Sequence, residues 1–63
     1  MKTFVTVIQI SANRFDVFKF DGYTQKSIYP QTSKVGIVVS CWESNGQNDK
    51  YCFDLAEKMN IGN

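Results

Sequence analysis

The sequence predicts a small α+β domain, an antiparallel sheet of three or four strands with one C-terminal helix packed on one face. The predicted order of elements is β-β-(β)-β-α. Segments 2–10, 15–20 and 35–42 predict the sheet, because they alternate in polarity and are rich in β-branched and aromatic residues. Apolar residues recur at helical spacing near the C-terminus and predict the helix. With 63 residues, the chain is expected to form one domain, residues 1–63.

The first two strand segments predict a β-hairpin, because the short polar connection Ser11–Arg14 separates them. Alternation along Lys2–Ile10 gives one face Phe4, Thr6, Ile8 and Ile10, and the other face Thr3, Val5, Val7 and Gln9. Both faces carry apolar side chains, which is typical of a central strand. Along Phe15–Phe20, one face carries Asp16, Phe18 and Phe20.

The third strand segment, Val35–Trp42, also has two apolar faces. One is Val35, Ile37, Val39 and Cys41, and the other is Val38, Ser40 and Trp42. Gly36 indicates either a bulge or close packing. The optional fourth strand is Ser27–Tyr29, placed at an edge because Pro30 has no N–H to donate within a sheet. The polar stretch Gln31–Lys34 is predicted to be a loop.

The C-terminal segment has two interpretations. A helix over about Asp49–Met59 aligns an apolar stripe of Cys52, Leu55, Ala56 and Met59. Asn48 is then the N-cap, and Asn60 is a left-handed residue at the helix end. In the alternative, the segment is a strand in which Tyr51, Phe53 and Leu55 alternate. A hybrid of the two is a short strand Lys50–Phe53 followed by a helix capped by Asp54.

One helix of this length covers only one face of such a sheet. A helix of eleven residues is roughly 16 Å long and about 10 Å wide, whereas three short strands make a face of about 15 by 20 Å. The second face is therefore predicted to remain exposed and to bind a partner or a second copy. Alternatively, the sheet curls into a small barrel and buries both faces.

The composition offers little to catalysis or to metal binding. The chain has no His, so neither a Cys–His nor a Ser–His pair can form. Its two cysteines have no neighbouring Cys or His with which to bind zinc. The carboxylates are scattered, and the glycines form no phosphate-binding loop. We expect no catalytic residue, no metal and no cofactor, and a protein that is not an enzyme.

Cys41 and Cys52 are interpreted as reduced residues of the core. A disulfide is the alternative, and it requires a hairpin that brings the two Cβ atoms together. The N-terminus leads directly into a strand-like pattern with no signal-peptide core, and no apolar run approaches the length of a membrane span. These observations predict a cytoplasmic protein.

The expected function is surface contact. We expect a small stand-alone module that inhibits or modulates a larger protein or complex, as phage- or plasmid-encoded anti-CRISPR and anti-restriction proteins do. Self-association to a homodimer is also expected. Because aromatic side chains dominate interface energetics, the predicted contact residues are Phe18, Phe20, Tyr23, Tyr29 and Trp42.

The alternative function is binding of single-stranded nucleic acid. Strand aromatics beside Arg14 and Lys19 could stack on unpaired bases. A nucleic-acid binder usually carries a basic stripe, whereas this chain has a net charge of only +1 and no run of like charges. The charge balance therefore favours a protein partner.

Overall fold

The structure, a computed structural model, describes residues 2–62 and contains three strands and two helices within that range. In chain order the elements are β1 (Thr3–Ser11), β2 (Arg14–Asp21), α1 (Gln25–Thr32), β3 (Ile37–Glu43) and α2 (Gly46–Ile61). The strands form one antiparallel sheet in the order β2-β1-β3. The predicted α+β class is confirmed, and the strand with two apolar faces is the central one.

The C-terminal helix α2 packs on one face of the sheet. Val5 and Val7 of β1 are buried there, and they form a core with Cys52 and Ala56 of α2. The partly buried residues around this core are Phe15, Val17, Trp42, Leu55 and Met59. The apolar stripe predicted for the C-terminal helix is therefore the stripe that contacts the sheet.

The segment between β2 and β3 is a helix, α1, and not an edge strand. Thr24 caps this helix, because its hydroxyl accepts a hydrogen bond from the backbone N–H of Ser27 at 3.3 Å. Ile28 and Thr32 lie one turn apart and are both fully buried. The Thr32 hydroxyl donates to the carbonyl of Ile28 at 3.0 Å, which satisfies the one polar side chain that this helix buries.

Pro30 lies inside α1, although it has no N–H with which to complete the helical hydrogen bonds. The predicted strand at Ser27–Tyr29 is therefore wrong, and the loop predicted over Gln31–Lys34 begins only after Thr32. Burial of one face of the helix outweighs the missing hydrogen bond. Local propensity around a proline could not reveal that burial.

The second face of the sheet is covered in part by α1. Alternation along β1 points Thr6 and Ile8 away from α2, and both are fully buried. Because α1 contacts β3, it lies over the β1 and β3 side of this face. The uncovered apolar area on this face is consequently smaller than one helix alone would leave, and Phe18 and Phe20 of β2 remain partly exposed there.

Strand β3 carries a bulge at Val39, because Ser40 and Val38 pair with consecutive residues of β1. The bulge reverses the alternation before it, so Val38 shares the α1 face with Cys41, and Ile37 shares the α2 face with Ser40. The predicted grouping of Ile37 and Val39 with Cys41 is therefore wrong. An extra residue in one strand shifts every side chain before it to the other face.

Gly36 lies against the backbone of β1. A Cβ atom at this position would be 2.2 Å from the carbonyl oxygen of Gln9, a distance that no side chain tolerates. Close packing is thus the correct interpretation of this glycine, and the bulge lies three residues further on.

Helix α2 begins earlier than predicted. The side chain of Asn45 accepts hydrogen bonds from the backbone N–H groups of Gln47 and Asn48, at 2.9 and 2.8 Å, and is the N-cap. Asn48 lies inside the first turn, and its side chain donates to the carbonyl of Glu43 at 3.0 Å. The alternative strand at Lys50–Phe53 is wrong, because these residues continue the helix.

The end of α2 also differs from the prediction. Asn60 belongs to the helix, which continues to Ile61, and Gly62 follows with a right-handed φ of −69°. Asn60 is therefore not a left-handed end residue. Its side chain instead reaches across to the backbone of Phe15 in β2.

Candidate functional site

An aromatic strip runs along β2 on the α1 side of the sheet. We use that name for Phe4, Phe18, Phe20 and Tyr23. The ring centroids of Phe18 and Phe20 are 6.4 Å apart with an interplanar angle of 28°. Tyr23 meets Phe20 edge-on, at 6.2 Å and 85°. Phe4 of β1 lies directly opposite Phe20, so the strip is two strands wide at this end.

The turn after β2 positions Tyr23. Gly22 has a φ of 77°, which L-residues rarely adopt, and its N–H donates to the carbonyl of Lys2 at 2.8 Å. The chain therefore turns sharply at the end of β2. The turn places the Tyr23 ring against Phe20, and this contact covers one side of the ring.

The aromatic strip is only partly covered. Helix α1 contacts β3, which is the edge of the sheet opposite to β2. Thr6 and Ile8 on the central strand are fully buried beneath it, whereas all four side chains of the strip remain partly exposed. Adjacent aromatic rings that are partly exposed present a contact area of low conformational entropy.

Two carboxylates lie on the same face as the aromatic strip. Asp16 precedes Phe18 by one alternation along β2, and Glu43 of β3 lies opposite Phe4. Lys19 of β2 points to the other face, where its ammonium group forms an ion pair of 2.9 Å with Asp49 of α2. Two of the charged side chains beside the strip are therefore carboxylates.

The five predicted contact residues lie at three places. The structure brings Phe18, Phe20 and Tyr23 together in the aromatic strip. Tyr29 lies on α1 and is 48% exposed. Trp42 lies on the α2 face, where it packs on the core and meets Tyr51 edge-on at 5.2 Å. Trp42 cannot share one contact surface with the strip.

A second apolar surface was not predicted as a site. We call it the aliphatic strip, and it is formed by Ile10, Val35, Ile37 and Val39. Ile37 is the most exposed of the four, at 69%. A shallow depression of about 310 Å³ adjoins the strip, between the end of β1 and the start of β3. The sequence does show an apolar series at 35–39. Because the bulge is not evident from the sequence, that series is interpreted as part of the core.

Asp49 has a structural role at the start of α2. Its carboxylate accepts a hydrogen bond from the Ser44 hydroxyl at 2.8 Å and pairs with Lys19. The bond to Lys19, followed by the bond to Ser44, lowers the pKa of the Asp49 carboxyl below its ordinary value. The pair joins the N-terminus of the helix to β2.

The two cysteines are free thiols on opposite sides of the sheet. Cys41 pairs with Thr6 on the α1 side and accepts a hydrogen bond from the Thr6 hydroxyl at 3.3 Å. Cys52 is fully buried in the α2 core. Burial, and then the nearby charge of Asp49, raises the pKa of the Cys52 thiol. The core interpretation is confirmed for Cys52, whereas Cys41 is only partly buried, and the disulfide alternative is excluded by this placement.

Comparison of the chain with family models, with curated proteins and with solved structures finds no match in any of the three. Neither helix in residues 2–62 has the length and apolar character needed to cross a membrane. Over the same residues, no three Cys, Asp or Glu side chains gather as metal ligands would.

Proposed function

We propose that this protein is a non-enzymatic binding module that inhibits or modulates a larger protein or complex by surface contact, with the aromatic strip as the contact surface. One observation carries the proposal. Phe18, Phe20 and Tyr23 form a row of partly exposed rings along an edge strand, while α1 contacts the opposite edge strand, β3. Rings held in this way are typical anchors of protein interfaces.

The charge around the aromatic strip favours a protein over nucleic acid. A platform for single strands combines aromatic rings with lysine or arginine that contact the phosphates. Here Asp16 and Glu43 border the rings, and Lys19 is held on the opposite face by Asp49. Carboxylates beside the rings would repel a phosphate backbone. They suit a partner surface that carries arginine or lysine.

The polar groups support a contact role over catalysis. Asp49 is held by Lys19 and Ser44. Asp16 accepts a hydrogen bond from the N–H of Val17 at 2.8 Å. The Asp49 carboxylate joins α2 to β2, and the Asp16 carboxylate satisfies a backbone N–H within its own strand. Together with two free cysteines, they fit a small inhibitor of the phage or plasmid kind that works in the cytoplasm.

The proposal is tested by comparing variants of the aromatic strip in a pull-down from lysate of the producing host. Phe18→Ser and Tyr23→Ser remove one ring each, and Phe53→Ser removes an exposed ring of α2 that is 55% exposed and serves as the matched control. Circular dichroism establishes which variants fold. Tyr23 lies in a turn outside the sheet, so its variant carries the test if Phe18→Ser is unstable.

We expect wild type and Phe53→Ser to capture the same protein in equal amounts. Each strip variant is expected to capture at least tenfold less of it. Equal capture by all four proteins contradicts the proposal. Fluorescence anisotropy with labelled oligo-dT and oligo-U is run in parallel. Tight, salt-sensitive binding that the strip variants lose would establish the single-strand alternative instead.

A further inference from the structure

The N-cap of α2 is an asparagine followed by a glycine. Asn45 precedes Gly46, whereas Asn13, Asn48 and Asn60 are followed by arginine, aspartate and isoleucine. The backbone nitrogen of the next residue can attack the side-chain carbonyl of an asparagine, and glycine hinders this attack least because it has no Cβ. Both residues are exposed, and among residues 2–62 no neighbouring group lies within 4 Å of the Cβ position of Gly46. Residue type and exposure therefore favour the attack at Asn45.

The folded geometry of the cap opposes the same attack. The Oδ1 of Asn45 is held by the backbone N–H groups of Gln47 and Asn48, at 2.9 and 2.8 Å. Its carbonyl accepts the first helical hydrogen bond, from the N–H of Asp49 at 2.9 Å. The ring that the attack forms requires the Cβ of Asn45 to eclipse the Gly46 nitrogen, and the extended ψ of 169° does not provide that arrangement. The first turn of α2 must therefore open before the ring can close.

We infer that Asn45–Gly46 is a site of spontaneous deamidation whose rate is controlled by the capped first turn of α2. The Gly46 N–H loses its proton to base, and the nitrogen forms a bond to Cγ of Asn45. The side-chain nitrogen takes up a proton and leaves as ammonia. Water then opens the resulting succinimide. Opening at the side-chain carbonyl gives aspartate, and opening at the backbone carbonyl gives isoaspartate.

The two products differ in their effect on α2. Aspartate keeps an oxygen acceptor at the N-cap and adds a negative charge at the positive end of the helix dipole. Isoaspartate leads the main chain through the side-chain carbons, so the cap is lost. The isoaspartate form is therefore expected to melt at a lower temperature than the unmodified protein. This inference does not involve the aromatic strip and stands independently of the proposed function.

The test is peptide mapping of the full chain after incubation at mildly alkaline pH, folded in buffer and unfolded in concentrated guanidinium chloride. Trypsin releases residues 35–50, and fragmentation in the mass spectrometer separates deamidation at Asn45 from that at Asn48. Labelling with isoaspartyl methyltransferase identifies the isoaspartate product. In the unfolded chain, Asn45 is expected to react faster than every other asparagine. In the folded protein, it is expected to react at least tenfold more slowly than in the unfolded chain.

Substitutions at two positions of the first turn separate the chemistry from its control. Gly46→Ala places a side chain beside the attacking nitrogen and is expected to slow the reaction of the unfolded chain at least tenfold. Asp49→Ala removes the bonds to Lys19 and Ser44 that hold this turn. It is expected to raise the rate in the folded protein at least threefold. Ser44→Ala removes one of these bonds and carries the test if circular dichroism shows that Asp49→Ala does not fold.

Two control variants address charge and overall stability. Asp54→Ala removes the same charge from an exposed position further along α2. Asn60→Ala removes the contact with Phe15 at the far end of the helix. Both are expected to leave the folded-state rate at Asn45 unchanged. Equal rates in folded and unfolded protein overturn the inference. So does faster reaction of another asparagine in the unfolded chain, or a control variant that raises the rate as much as the first-turn variant.

Discussion

The side-chain amide of Asn60 pairs with the backbone of Phe15 as a neighbouring strand would. Its Oδ1 accepts from the N–H at 2.8 Å, and its Nδ2 donates to the C=O at 2.9 Å. One residue of the last helical turn therefore joins α2 to the outer edge of the hairpin. This contact keeps the helix on its face of the sheet and keeps other strands away from β2.

Asn60→Ala tests the importance of that contact for stability. The substitution leaves two partly buried backbone groups without a partner, so a loss of about 1–2 kcal/mol in the free energy of unfolding is expected. Urea unfolding measures it. Lys58→Ala removes an exposed side chain of the same turn and is expected to change stability by less than about 0.5 kcal/mol. Equal effects of the two substitutions would mean that the amide pairing adds nothing.

Gly36→Ala is expected to be strongly destabilising. The new Cβ atom would meet the carbonyl oxygen of Gln9 at 2.2 Å, and backbone cannot move aside cheaply. A loss of about 1–3 kcal/mol follows from such overpacking. Gly46→Ala is the matched control, because no atom lies within 4 Å of its Cβ position. It is expected to stabilise by about 0.4–1 kcal/mol. Thermal unfolding of both variants should show shifts of opposite sign.

The bond between Lys19 and Asp49 predicts a pH dependence. The folded state lowers the pKa of Asp49 below 3.8. Its stabilising effect is therefore fully present above that pH and disappears as the pH falls through the folded-state pKa. Asp49→Asn should lower the melting temperature at neutral pH, and the difference from wild type should shrink below pH 3.8. Asp54→Asn, at an exposed position of the same helix, is the control. A difference independent of pH would refute the role of the ion pair.

The two thiols should react at different rates in the folded protein. Cys41 is partly exposed, whereas Cys52 is fully buried and its pKa is raised. Iodoacetamide at mildly alkaline pH should label Cys41 first and reach Cys52 only as the protein unfolds. Mass spectrometry of tryptic peptides measures both rates. Comparable labelling of Cys52 in native conditions would contradict the packing of α2.

The sequence was sufficient to predict the elements in which apolar residues recur at regular spacing. The hairpin of β1 and β2, the central place of β1 and the stripe of Cys52 and Ala56 were predicted from spacing. Helix α1 was missed, because Pro30 argues against it locally and only the burial of Ile28 argues for it. The missed bulge at Val39 has the same cause, since pairing with another strand is not a local property.

The candidate site was predicted only in part, because strand pairing, which a local pattern does not reveal, also decides which side chains share a face. Phe18 and Phe20 share a face by alternation alone, and Tyr23 joins them through the turn at Gly22. The prediction grouped Trp42 with these residues because its only criterion was an aromatic side chain. Its face depends on register, which sets it against Val5 beneath α2.

Site-specific photocrosslinking tests the central claim most directly. Replacing Tyr23 with p-benzoylphenylalanine places the crosslinker on the aromatic strip, and replacing Phe53 places it on the outer face of α2. Both are expressed in the host and irradiated, and the adducts are identified by mass spectrometry. We predict one larger host protein crosslinked from position 23 and absent from position 53. Adducts that are identical from both positions, or that contain only nucleic acid, would contradict a protein contact through the strip.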